Sequence, residues 1–520
     1  MTRDLIIGID AGTSVLKSVA FTLDGAQLGV ASRPNSYTRF GRGCVEQDML
    51  QTWDDARQTL CDLAAIVPGL ASRAAALAIT GQGDGCWLID ADGEPVGGGL
   101  IWLDSRAAEM AADFVASPDH AAHYATTGTG LNACQQSIQI AWLQQHQPER
   151  LAKAAHALHC KDWLYFKLTG HRAVDPSEGI FTHGDFRNRR YAPEIGERLG
   201  IARHARLLPD IVDGVDTHHG LTDTAASATG LPSGLPVVLG YVDVVCSAIG
   251  GGLYDSSGRS GCSIIGSTGM HMRLAHSADA VALNTACSGY TMALPGAGLY
   301  AQIQSNMAAT VNIDWLVELA RQACAMAGIE SHRHALLAGV EAHVAAAEPG
   351  SSLYHPYILE AGERGPFMNA DARAQFTGLS TNTTFAGLFR SIYEGLGFAA
   401  RDCYGVMGDI PDEVRITGGA ARSSTLLQIF ADILDAPVRR VMREETGAAG
   451  AAMIAAISLG RYADLAACAE AWVAPTLGAI TEPDPKLAEF YRKLFPIYRS
   501  VREAMPPVWA ALAQAREVNP

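Results

Sequence analysis

The chain has 520 residues, 48% of them hydrophobic and 18% charged, with a formal net charge of −15. That length exceeds one hydrophobic core and points to two domains, with three as the upper reading. The acidic balance weighs against nucleic acid or an anionic membrane as the main partner, but not against a local phosphate site built from backbone N–H groups.

The opening stretch "LIIGIDAGTSVLKSVAFTLDG" predicts strands over Leu5–Ile9 and Lys17–Leu23, with Asp24-Gly25 as a hairpin turn into a third strand near Gln27–Ser32. "MLQTWDDARQTLCDLAAIV" has helical spacing. "AAALAITGQGDGCWLIDADGEPV" reads as strand, polar loop, strand and Asp-Gly turn. "IWLDSRAAEMAADFVA" begins as a strand and becomes a helix. "HCKDWLYFKLTG" reads as a short helix ending at Gly170, and "PVVLGYVDVVCSAIGGG" as strand, acidic turn and small-residue helix.

The pattern then restarts. "GCSIIGSTGMHMRLA" repeats the opening layout of strand, hydroxyl-bearing turn and strand. "TTFAGLFRSIYEGLGFAARDCYGV" predicts a long amphipathic helix, and "EVRITGGAARSSTLLQIFADILDAPV" a strand, a Gly-Gly turn and a helix. "GAAGAAMIAAISLG" is too short and too rich in Gly and Ala to span a bilayer, so it reads as a buried, closely packed helix. Leu487, Phe490, Tyr491, Leu494, Tyr498 and Val501 keep helical spacing, with Pro496 expected to kink or split that helix. The halves divide at Gly250–Gly252, giving expected domains 1–250 and 251–520 about a cleft that closes around this segment.

The 11 cysteines are odd in number, scattered and without a C-x-x-C pair, which predicts reduced thiols in a cytoplasmic protein. "MTRDLIIGID" enters a strand directly and reads as lacking a signal peptide.

A strand ending on a carboxylate and turning through Gly-Thr-Ser offers backbone N–H groups and hydroxyls to an anion. Asp10 fits there if a divalent cation lies between it and the phosphate, and Lys17 would offset further charge. A plain hairpin with an Asx turn is the competing reading. "GSTG" (Gly266–Gly269) is a second candidate phosphate hairpin. "ITGGAARSS" (Ile416–Ser424) is a strand ending in Gly-Gly ahead of a helix, suited to a flat ring and phosphates. All three in this order across a duplicated layout favour a nucleotide site over three unrelated turns.

These motifs, with "ITGQGDGCWLID", "WLDSRA", "CKDWLYFKLTG", "LPVVLGYVDVVCSAIGGG", "GERGPFMNADARAQFTGLS" and "SIYEGLGFAARDC", resemble the FGGY family of carbohydrate kinases nearly end to end. The resemblance implies an α/β fold of two actin-like ATPase (ribonuclease H-like) domains with a central cleft, and ATP and Mg²⁺ as co-substrate and cofactor. It implies nucleotide contacts at Gly12, Thr13, Ser14, Lys17, Gly266, Ser267, Thr268, Thr310, Gly418, Gly419 and Ser423. It places Asp10 and Asp243 near the metal and makes Asp243 the catalytic base. Gln82, Asp84, Trp102, Asp104 and Gln135 fall where the family contacts sugar or polyol hydroxyls. Each has a structural alternative where the residues alone are read: Asp243 as a helix N-cap, Trp102 as a core aromatic, Asp104 with Arg106 as an ion pair holding a loop. Relatives often pair, so a homodimer is a further implication.

Gly83-Asp84 replaces the Met-His or Arg-Glu pairs of other family members, Val244-Val245 replaces polar residues after the base, and Thr310 and Asn312 stand where the family has small glycines. A carboxylate at Asp84 accepts two hydroxyl hydrogen bonds and suits a small, neutral, hydroxyl-dense substrate. "GQGDG", "GTGLNACQQS", "HCKDWLYFKLTG" and "GYVDVVCSAIGGGLYD" look most like members acting on a four-carbon polyol and imply erythritol, with xylulose or ribulose as the alternative. A partner-driving actin-like ATPase has no use for Asp243 together with the "GQGDG" and "WLDSR" loops, and a sugar sensor without catalysis has no use for Asp10 and Asp243.

Overall fold

The computed structural model describes residues 3–255, 257–296 and 298–517. The opening apolar run forms β1 (Leu5–Ala11), and the chain returns through Gly12–Ser14 as β2 (Val15–Thr22) and then β3 (Gln27–Pro34). With β4 (Ala74–Gly81), β5 (His219–Gly220) and β6 (Pro236–Leu239) they make a six-stranded sheet in the order β5-β6-β4-β1-β2-β3. The β1–β2 pair is antiparallel with Asp10 opposite Lys17, whereas β4 and β6 run parallel.

The second half repeats this plan. Strands β7 (Ser260–Ile265), β8 (Gly269–Ala275), β9 (Tyr290–Ala293), β10 (Tyr300–Asn306), β11 (Glu413–Thr417), β12 (Val438–Val441) and β13 (Leu477–Thr481) lie in the order β9-β10-β8-β7-β11-β12-β13. An antiparallel hairpin, β7–β8, again flanks two parallel neighbours, β11 and β12, closed by an antiparallel edge strand. Both sheets therefore present a hydroxyl-bearing hairpin turn at the end of their central strand.

Helices follow the sequence signals closely. Asp48 caps α1 (Met49–Ile66) by accepting from the Leu50 and Gln51 N–H groups. Helix α2 (Cys160–Thr169) stops at Gly170, whose φ of 75° is the left-handed conformation glycine adopts without strain. Further along come α3 (Pro176–His183), α4 (Asp243–Gly250), α5 (Thr310–Met326), α6 (Phe385–Val406), α7 (Ser424–Leu434) and α8 (Thr446–Ser458).

Helix α8 ties the halves together. Every residue from Thr446 to Ala456 is buried, against α4 and strands β1 and β4 of the first sheet. One apolar cluster accordingly joins Ile6, Val19 and Phe21 to Cys262, Met272 and Ala448–Ala456. Arg443 and Trp472 also reach back, donating to the Gly25 and Leu23 carbonyls.

Two expectations need correction. The strand expected to open "IWLDSRAAEMAADFVA" ends before it, at Gly99–Leu100, because the chain turns at once toward the helix Ala108–Val115. Helix α9 (Pro485–Ala504) is not split at Pro496 but runs through it as one element. Pro496 is exposed, so the carbonyl it leaves unpaired meets water, while buried Tyr491 and Tyr498 hold the helix on either side.

Candidate active site

The two hairpin turns face one cavity of about 350 Å³ between the sheets. Thr13, Asp84, Trp102 and Asp243 reach it from the first half, and Thr268, Tyr290 and Arg364 from the second.

In the first turn, Asn35 pins the loop by donating its side-chain amide to the Gly12 carbonyl (2.8 Å) and its N–H to the Ser14 carbonyl (2.9 Å). The Thr13 hydroxyl donates to Gln82 Oε1 (3.2 Å) and accepts from Trp102 Nε1 (2.7 Å). Trp102 is therefore neither a pure core aromatic nor free, since its indole N–H orients Thr13 at the cavity wall. Gln82 is buried and donates to Gln47 Oε1 (2.6 Å), so it supports Thr13 from behind.

In the second turn, the Gly266 carbonyl accepts from the Thr310 N–H (3.0 Å) and hydroxyl (2.8 Å), and the Ser267 carbonyl from the Ala309 N–H (2.7 Å). Thr310 thus fixes the loop from the first turn of α5. Gly418 and Gly419 are exposed beside it, and a Cβ on Gly418 would lie 2.5 Å from the Ile265 carbonyl oxygen. Ser423 caps α7 and donates to Glu341 Oε1 (2.7 Å), so its hydroxyl is engaged within the protein.

Asp243 occupies the first turn of α4 with Val242 as the cap residue, which leaves its carboxylate out of the capping role. Burial pushes its pKa well above the ordinary carboxylate value, and the negative charges of Asp10, Glu178 and Asp84 add to the rise. Asp10 is pushed up to about 6 by burial, against the pull of Lys17 and with a smaller rise from Glu445. Lys17 itself pairs with Glu445 (Nζ–Oε2 2.8 Å), linking β2 to the start of α8. Two buried carboxyls with raised pKa values, Asp10 adding to the rise at Asp243, fit beside a hydroxyl loop a divalent cation shared with phosphate oxygens. Among the described residues no three His, Cys, Asp or Glu form a closed cage.

Asp84 has a φ of 57°, and its pKa is raised by burial against the opposing pull of Cys134, His159 and Arg364. The Cys134 thiol donates to its Oδ2 (3.4 Å), while Oδ1 is shielded and has no protein partner.

Asp104 and Gln135 do not line the cavity. Asp104 accepts from the Val45 N–H (2.7 Å) and pairs with Arg106 (2.8 Å), both side chains being at most 1% exposed. Gln135 donates to the Gly130 carbonyl (2.8 Å). The ion-pair reading of Asp104 and Arg106 matches their geometry. Removing one partner of a buried pair leaves an uncompensated charge, although Arg106 keeps Glu46. Asp104→Ala should therefore cost about 3 kcal/mol in urea denaturation, with the KM for the acceptor within twofold of wild type.

Sequence reasoning missed Asn35, Glu178, Tyr290, Glu341 and Arg364. Only Arg364 lay within a quoted motif, "GERGPF", and nothing in its spacing announced a cavity.

Paired sheets of one plan, two phosphate-type turns across a cavity and carboxylates at its base define an actin-like, two-domain phosphotransferase. A family model described as FGGY family of carbohydrate kinases, N-terminal domain, matches residues 5–250, and its C-terminal counterpart matches residues 261–459. The chain belongs to the FGGY family of carbohydrate kinases, which use ATP. It is 50% identical over 513 residues to an erythritol kinase of Brucella abortus (strain 2308), covering 99% of this chain and 98% of that one. Among solved structures, a xylulose kinase from Rhodospirillum rubrum matches with a TM-score of 0.85 at 27% identity, over 97% of this chain and 100% of that one. A gluconate kinase from Lactobacillus acidophilus shares the fold with a TM-score of 0.87 at 21% identity, over 98% and 99% of the two chains. No helix among the described residues is long and apolar enough to cross a membrane.

Proposed function

We propose that the protein transfers the γ-phosphoryl group of ATP to a terminal hydroxyl of erythritol. The observation that carries the substrate is the 50% identity with an erythritol kinase across nearly the whole chain. The cavity agrees with it. Asp84 Oδ1 has no protein donor, and a buried acceptor left without one costs free energy. A tetrol supplies O–H donors and no charge of its own.

Asp243 acts as the base. A sugar hydroxyl is a poor nucleophile, and a neighbouring carboxylate orients it and takes its proton late. Its raised pKa makes Asp243 a stronger base than an ordinary carboxylate. The turns at Gly12–Ser14 and Gly266–Thr268 receive the phosphates from opposite sides, Gly418 and Gly419 give the nucleotide an open backbone surface, and Asp10 with Asp243 would hold Mg²⁺. When bound, that ion neutralises charge on the phosphates. The cytoplasm is the proposed compartment, and a homodimer the proposed assembly.

The test is ADP release with Mg²⁺-ATP against erythritol, glycerol, xylulose, ribulose, xylitol and arabitol. Erythritol should show the highest kcat/KM, by at least tenfold. A ketose in first place would keep the family and overturn the substrate.

A further inference from the structure

A chain of buried charges lies behind the cavity wall and has two ends. At one end Glu178 Oε1 accepts the Asp84 N–H (3.2 Å). Gly83 lies against the same carboxylate, for a Cβ there would stand 2.5 Å from Glu178 Oε1 and 2.4 Å from Val242 Cγ2. The Gly83-Asp84 turn, with its left-handed Asp84, is thus seated between Glu178 and Val242.

From Glu178 the charges run inward. His159 Nε2 is 3.2 Å from Glu178 Oε2, and His159 Nδ1 is 2.9 Å from Asp162 Oδ2. Lys161 Nζ lies 2.5 Å from both Asp162 Oδ1 and Asp175 Oδ1. Asp175 Oδ2 accepts from the Ser177 N–H (2.7 Å) and from its hydroxyl. At the other end Ser177 Oγ accepts the Val242 N–H (3.1 Å), the peptide immediately ahead of Asp243.

None of the five charged side chains is more than 3% exposed. Burial drives the histidine toward neutrality, but Glu178 and Asp162 outweigh it and hold its pKa up. Three acidic side chains then face two basic ones, and burial pushes Glu178 itself up to about 7 against the pull of His159 and Lys161. Burying five charges is costly unless they are paired and hydrogen-bonded. A fold that only needed to fill this volume would be served by apolar side chains.

We infer that the start of α3 is the positioning device of the acceptor subsite, Glu178 fixing Asp84 and Asp175–Ser177 fixing the peptide before Asp243. This inference rests on the kinase reading above. One short helix sets both carboxylates, so the spacing between the residue that receives the polyol and the one that takes its proton is fixed by one rigid element. Glu178 and Ser177 act through their neighbours and are positioning residues. The Lys161-Asp162 pair within "HCKDWLYFKLTG" then has a role, namely to neutralise Asp175 and orient His159.

The test separates KM from kcat at the two ends. Glu178→Met removes the acceptor and should raise the KM for erythritol about tenfold, the loss of one hydrogen bond, with the KM for ATP within twofold. Glu178→Gln keeps an acceptor for the Asp84 N–H and should return that KM to within threefold of wild type. Ser177→Ala should lower kcat about tenfold with the erythritol KM within threefold, because it frees the peptide before the base. The inference is overturned if Glu178→Gln is as impaired as Glu178→Met. It is equally overturned if the ATP KM rises in parallel, or if Ser177→Ala keeps wild-type kcat. Should Glu178→Met fail to show a cooperative melt, the Glu178→Gln and Ser177→Ala measurements decide alone. A wild type inert toward every polyol overturns the kinase reading, and this inference with it. An active wild type whose variants show no KM–kcat split overturns this inference only.

Discussion

Asp243→Asn should lower kcat for the acceptor by about 10²–10⁴-fold, the contribution of a positioned base, while the KM for ATP stays within a fewfold of wild type. The amide keeps the shape of the carboxylate but cannot take a proton. The same substitution should raise the melting temperature of the ligand-free protein. Asp243 has a pKa raised by burial and by Asp10, Glu178 and Asp84, so its charged form is disfavoured in the folded state. For such a carboxyl the folded state holds the proton more tightly than the unfolded state. Its stabilising share is complete below the ordinary carboxylate pKa and is lost as pH rises through the folded one. For Asp10 that loss runs from the ordinary carboxylate pKa up to about pH 6. The ligand-free protein should therefore lose part of its stability between about pH 4 and pH 6, and Mg²⁺-ATP should restore it by binding only the folded state. Thermal melts of wild type and Asp243→Asn across this range, with and without Mg²⁺-ATP, check both halves. A variant that is inactive yet no more stable than wild type would contradict the charge-repulsion account of the site.

That trade between stability and chemistry explains what the sequence could and could not reveal. The phosphate turns are local. Each is an apolar strand, a Gly-hydroxyl turn and a returning strand, and the hairpins β1–β2 and β7–β8 appear where those words stand. Asp84 and Trp102 are also local, standing in the short loops that follow apolar strands. The residues that support them are not local. Asn35 reaches Gly12 from the end of β3, Glu178 reaches Asp84 from α3, and Ser177 reaches Val242 across 65 positions. No spacing rule links such pairs, because the parallel crossovers of each sheet decide which loops meet. Asp104 shows the opposite failure. It stands in a loop with the right residue type, yet its oxygens bind Arg106 and the Val45 N–H and leave nothing for a substrate. Lys17 opposes the rise at Asp10, as its place opposite that residue on β2 suggests, but its ion-pair partner Glu445 lies more than 400 positions away and belongs to the other half. The buried, small-residue character of α8 was legible from composition alone. That it packs on the first sheet was not.

Gly450→Ala should destabilise the protein by about 3 kcal/mol or more, beyond the ordinary cost of overpacking, because two backbones would have to separate. A Cβ at Gly450 would lie 2.0 Å from the Cys246 carbonyl oxygen, and one at Gly250 would lie 2.1 Å from the Thr446 carbonyl oxygen. Cys246 and Gly250 are four apart on α4, and Thr446 and Gly450 are four apart on α8. The helices therefore cross over a single turn of each, with the glycine of one against the carbonyl of the other, a geometry that also brings Cα–H groups to carbonyl oxygens. Urea denaturation reads the cost, and an unchanged midpoint would refute the contact. Gly447→Ala distinguishes this crossing from the site it supports. Its Cβ would stand 2.3 Å from Asp10 Oδ2, a side-chain oxygen that can turn aside. It should cost about 1 kcal/mol in stability but raise the Mg²⁺ concentration for half-maximal activity about tenfold, by displacing a carboxylate proposed to hold the ion. Gly250 lies both at this crossing and at the boundary where the sequence divides the halves. A contact held by backbone over one turn of each helix resists sliding and permits rotation.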